Sequence, residues 1–81
     1  MLTNAIKKGM RVHLTNGWFG TVQDNLSGNT RIVEVEGFHK ETGSVYVWDF
    51  KAVKPVDSKV WHTVCLTQAQ QKARVMVSTF L

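Results

Sequence analysis

Apolar and polar residues alternate through this chain in short segments, and glycine-containing turns cut the segments apart. Met10, Val12 and Leu14 alternate with Arg11, His13 and Thr15, and Asn16-Gly17 then supplies a strong turn dipeptide. A second strand is expected from Thr21 to Leu26 around Val22, ended by Ser27 to Asn29. From Thr30 to Glu36, Val33 and Val35 share a parity with Arg31, while Ile32, Glu34 and Glu36 take the other. Gly37 and Gly43 frame a loop or a widened hairpin end. The run SVYVWDFKAV then carries β-branched and aromatic residues without a break, so it reads as the strongest strand, with Tyr46, Trp48 and Phe50 on one face. Period two gives each such strand one face to bury, and four or five of them need a common core.

Pro55 and the residues after it interrupt the pattern. The segment KVWHTVC holds a candidate last strand, in which Trp61, Thr63 and Cys65 share one parity. After Leu66 the period changes. Thr67 followed by Gln70 reads as a capping box, and Ala69, Ala73, Met76 and Phe80 recur at helical spacing, which predicts a C-terminal amphipathic helix able to cover the aromatic row. With 81 residues, 43% of them hydrophobic, the chain has material for one small core, and a chain of this size buries only about 60–65% of its unfolded surface. The expected organisation is a single domain over 1–81, with a core over 9–56, a candidate last strand within 57–66 and a helix over 67–81. Closing the strands into a small, mainly β antiparallel barrel would remove the edges that an open sheet exposes.

The spacing K-G-x-x-V followed by G-x-x-G-x-V, carried by Gly9, Val12, Gly17, Gly20 and Val22, resembles the KOW-type (KOW/Tudor-like) SH3-like barrels of transcription elongation factors and ribosomal proteins. The likeness covers about half the chain. It implies a nucleic-acid-binding or protein-binding module, with the loop of Asn16, Gly17, Trp18 and Phe19 as part of the binding surface. The compact format is also similar to small bacteriophage or prophage proteins.

Ten Lys and Arg against six Asp and Glu give a net charge of +4, which favours polyanionic partners. Trp18 and Phe19 at a turn admit two readings: rings that fold back as a lid, or a stacking platform for unpaired bases. Lys7, Lys8, Arg11 and Arg31 are candidate phosphate contacts, while Glu34 and Glu36 interrupt a basic track on the third strand. RNA or DNA is therefore the expected partner of a transcription- or translation-associated accessory protein. The alternative is a protein-interaction module, such as a phage-encoded modulator of a host enzyme like RNA polymerase, centred on Trp18, Phe19 and Phe38. A further alternative is a structural part of a larger assembly.

His13, His39, His62 and Cys65 do not form the two close pairs that a zinc site needs, so neither metal nor cofactor is expected. Asp24, Asp49 and Asp57 are scattered, and no nucleophile motif or phosphate loop is present, so no catalysis is expected. The single cysteine, the lack of an export signal and the lack of an apolar run of about 18 residues lead to the expectation of a cytoplasmic protein without a membrane segment.

Overall fold

The computed structural model describes residues 1–25 and 28–80, with residues 77–80 described by their backbone alone. Leu26 and Ser27, expected at the end of the second strand and in its turn, lie outside the described residues, as do Leu81 and the Phe80 side chain. The strands are β1 (Arg11–Leu14), β2 (Phe19–Val22), β3 (Thr30–Glu36), β4 (Lys40–Tyr46), β5 (Phe50–Lys54) and β6 (His62–Thr63), followed by the helix α1 (Gln68–Phe80). Short 3₁₀ turns occupy Thr3–Ala5 and Val47–Asp49.

The pairings between the named strands are antiparallel and build one sheet of order β4-β3-β2-β1-β5-β6, and an isolated parallel bridge joins Leu2 to Cys65. This corrects the expectation of a closed KOW-type SH3-like barrel: the sheet is open, with β4 and β6 as its two edges. Glycine turns and alternation specify which neighbouring strands pair, whereas closure needs the first and last strands to meet. Here one end is a strand of only two residues. The β6 edge is limited by its shortness, whereas β4 presents an edge of seven residues.

The β1–β2 turn shows why the local pattern was readable. Gly17 N–H donates to the Leu14 carbonyl at 2.9 Å, and Leu14 N–H donates to the Trp18 carbonyl at 2.7 Å. Gly17 has φ of 94°, the left-handed conformation that side chains disfavour. Gly20 is required for a different reason. It faces Val12 across the ladder, and a Cβ there would lie 2.6 Å from Val33 Cγ1 and 2.9 Å from the Glu34 carbonyl oxygen, so the strands approach over its bare backbone.

The core follows the inward parity. Val12, Leu14, Val22, Val33 and Val53 come from the strands, and Ile6, Val47, Trp48 and Phe50 complete it. Each such side chain contributes about 1.5–3 kcal/mol of burial. The strand expected through SVYVWDFKAV is broken by the 3₁₀ turn at Val47–Asp49. Val47 N–H donates to the Asn29 carbonyl and Thr15 N–H to the Asp49 carbonyl, both at 2.9 Å, which pins the corner between β4 and β5. Trp48 and Phe50 therefore enter the core, while Tyr46 stacks on Trp48 from outside with ring centroids 4.5 Å apart.

Arg31 lies within the same inward row and is fully enclosed. Its guanidinium donates to the carbonyls of Thr30 (2.7 Å), Thr3 (2.9 Å), Gly28 (3.1 Å) and Ile6 (3.5 Å). The N-terminal 3₁₀ turn is thus stapled to β3 by one side chain. Burial lowers the Arg31 pKa, and the nearby Asp24 charge partly opposes that shift.

The helix begins with the capping box. Thr67 N–H donates to Gln70 Oε1 at 3.0 Å and Gln70 N–H donates to Thr67 Oγ1 at 3.2 Å. Gln70 Nε2 also donates to Thr3 Oγ1 at 2.7 Å, so Gln70 is buried with its polar atoms satisfied. Gln70 and Ala73 turn toward the body of the protein, whereas Ala69 and Met76, expected on the covering face, are exposed. Of the aromatic row it was expected to cover, Trp48 and Phe50 are in the core, against which Ala73 packs, while Tyr46 stays exposed. Among the described residues, no helix is long and apolar enough to cross a membrane.

Candidate functional site

Trp18 and Phe19 are consecutive, and the pleat of β2 sends neighbouring side chains to opposite sides of a sheet. The Asn16 side-chain oxygen accepts a hydrogen bond from Trp18 N–H at 3.0 Å and fixes the turn from which both rings leave. One turn therefore feeds two different surfaces.

On the outer face Phe19 lies opposite His13 of β1, and the two rings stack with centroids 4.5 Å apart and planes 9° apart. Trp61, just before β6, reaches both, at 5.8 Å from Phe19 and 6.4 Å from His13. Lys54 Nζ sits 5.6 Å from the centre of the Trp61 ring, a cation–π contact. Phe19 and Trp61 remain 40% and 39% exposed, so the aromatic row is open to a ligand.

Arg11 shares this face. Its guanidinium donates to both carboxylate oxygens of Glu36 and, at 2.8 Å, to Thr21 Oγ1. The hydrogen bond with Glu36 raises the Arg11 pKa, and the same bond holds the Glu36 carboxyl below the usual carboxylate range. Arg11 is thus a cation already engaged, whereas among the described residues Lys54 makes a cation–π contact and no ion pair.

On the other side a groove of about 610 Å³ runs between the β1–β2 turn, the β3–β4 hairpin and β4. Trp18, 42% exposed, meets Phe38 edge to face at 5.9 Å. Gly37 passes directly under the Trp18 ring, where an added Cβ would fall 2.5 Å from it. The groove also carries Tyr46, Val35, Glu41 and Asp49.

The residues expected to form one site are therefore divided. Trp18 and Phe38 share the groove, while Phe19 and Arg11 lie on the outer face. Lys7 and Lys8 are exposed before β1, at the end of the strand opposite the Trp18 turn, where Lys8 N–H donates to Asn25 Oδ1 at 2.9 Å. Arg31 is withdrawn as a phosphate contact, because it is enclosed and its donors are spent on carbonyls. Two members of the outer site, His13 and Trp61, were not among the expected contacts, and Lys54, one of three lysines around the Pro55 connection, meets Trp61 rather than Trp18. His13 faces Phe19 across the β1–β2 hairpin, whereas only the non-local β1–β5 and β5–β6 pairings bring Lys54 and Trp61 to that row.

Among the described residues, no cluster of three or more His, Cys, Asp or Glu could hold a metal ion. No protein-family model, curated protein or solved structure matches this chain.

Proposed function

We propose that the chain is a non-enzymatic module that binds single-stranded nucleic acid, RNA or DNA, on its outer sheet face. The observation that supports this reading is the half-exposed row of Phe19, His13 and Trp61 across β2, β1 and the approach to β6, with Lys54 over its end. Unpaired bases stack on such rings at about 1–3 kcal/mol per base, with little dependence on base identity. Lys54 supplies attraction to phosphates, Arg11 being held by Glu36, and the net charge of +4 favours the encounter. Glu34 and Glu36 bound the platform at β3, so the bound strand runs over β2, β1 and β5 toward β6. A cytoplasmic setting belongs to the same reading, since Cys65 is a free, exposed thiol suited to a reducing compartment.

The test is a salt titration of binding to mixed-sequence single-stranded DNA and RNA, with Phe19→Ala and Trp61→Ala in parallel. With Lys54 as the phosphate contact and Arg11 held by Glu36, log affinity falls with log salt with a slope of about −0.7. Both substitutions weaken binding. Absence of binding at low salt, or binding that ignores both substitutions, refutes the proposal.

A further inference from the structure

The groove on the opposite side differs in charge from the rest of the molecule. Its lining includes the carboxylates Glu41 and Asp49 together with His39, and no Lys or Arg, in a chain that carries ten Lys and Arg. Among the described residues neither carboxylate makes an ion pair or a side-chain hydrogen bond. The neighbouring Lys40 does not neutralise them, because its amine lies 4.0 Å from Glu34. Trp18, Phe38 and Tyr46 present aromatic rings to the same space. Unpaired carboxylates beside aromatic faces are complementary to a cation with an apolar stem.

The shape narrows the ligand further. Consecutive residues 41–46 of β4 all line the groove, so it opens along the strand's edge as well as toward one of its faces. Among the described residues β4 pairs only with β3, which leaves its other edge without a ladder partner over seven residues. Such an edge is a template for an added strand, with main-chain hydrogen bonds giving affinity and pockets giving specificity.

We infer that β4 and this groove form a second binding site, for an extended peptide segment of a protein partner. The peptide adds as a strand along β4 and places one Lys or Arg side chain beside Trp18 and Glu41, toward the hairpin end of the groove, with Asp49 adding negative charge to the same groove. This site is independent of the outer face, so nucleic-acid binding can fail without affecting it.

The experiment titrates the isotope-labelled full chain with a capped seven-residue peptide of alternating threonine and serine with a central lysine, and with its counterpart carrying a central glutamate. The lysine peptide is expected to shift the amide signals of residues 41–46 and the Trp18 indole, and to bind roughly ten-fold more tightly than the glutamate peptide. The isosteric pair Glu41→Gln and Asp49→Asn removes that preference, and an unmoved indole signal from the buried Trp48 shows that the variant is folded. Equal binding of the two peptides, shifts confined to the outer face, or no shift overturns the proposal. So does a concentration-dependent shift of the β4 signals without peptide, which would make the occupant a second copy of this chain.

Discussion

Trp18 and Phe19 leave one turn for opposite sides of the sheet, and the two surfaces they enter differ in kind. The Phe19 side is a row of rings with Lys54 at one end and the Arg11–Glu36 pair at the other. The Trp18 side is a concave groove whose carboxylates, Glu41 and Asp49, make no ion pair among the described residues. A two-residue aromatic motif in the sequence is thus two single-residue contributions, and the step from the turn at Trp18 into β2 at Phe19 is what separates them.

The largest disturbance takes both surfaces away together. Arg31→Met strands the carbonyls of Thr3, Gly28, Thr30 and Ile6 without their shared donor and releases the N-terminal turn. A loss of about 2–4 kcal/mol in urea unfolding is expected, since the cost is that of leaving buried polar groups unpaired. A loss within about 0.5 kcal/mol, the scale of an ordinary surface substitution, would show that the staple is dispensable.

Gly20→Ala is next. The added methyl group meets Val33 and the Glu34 backbone, and overpacking of this kind costs about 1–3 kcal/mol. Because Gly20 lies in the strand that carries Phe19, a variant that unfolds at the wild-type denaturant concentration would show that β2 can shift to make room.

The two surfaces come apart in binding. Trp61→Ala weakens affinity for single-stranded DNA by about 1–3 kcal/mol, the worth of one stacked base, measured by fluorescence anisotropy. Trp18→Ala leaves that affinity unchanged. The reverse ranking would move the nucleic-acid site to the groove.

Glu36→Gln gives the smallest effect and sharpens the outer surface. It frees Arg11 for phosphate, so the salt slope steepens by about 0.7 while affinity rises at low salt. The same pair sets a pH dependence. The folded pKa of Glu36 is depressed, so the contribution of the contact is complete above the ordinary glutamate value of about 4.3 and is lost as pH falls through the depressed value. A side-chain carbon NMR titration should place the Glu36 midpoint below that ordinary value in the native protein and raise it in Arg11→Ala.

What could be read from the residues was local. Alternation in Arg11 to Leu14 and Thr30 to Glu36, the Asn16-Gly17 turn and the Thr67–Gln70 capping box all depend on contacts a few residues apart. Arg31 shared the parity of Val33 and Val35, but only the return of the N-terminal turn shows that its partners are Thr3 and Ile6. The corner at Val47–Asp49 was hidden because Val47 and Trp48 have the composition of a strand, and the bonds that bend them come from Asn29 and Thr15. Closure was inferred from the hazard of open edges, yet a two-residue β6 lessens that hazard without a barrel. Trp61 was noted as a strand residue, and its place beside Phe19 required a pairing between segments with no local mark of their own.

The most direct test of the account uses the chain's three tryptophans as reporters, one for each environment: Trp61 on the outer face, Trp18 in the groove and Trp48 in the core. Their indole signals are followed while an oligothymidine is added at low salt. The account predicts that Trp61 moves in a saturable way, together with the amides of His13 and Phe19, while Trp18 and Trp48 stay in place. Movement of Trp18 with Trp61 silent, or no movement of either, would contradict it.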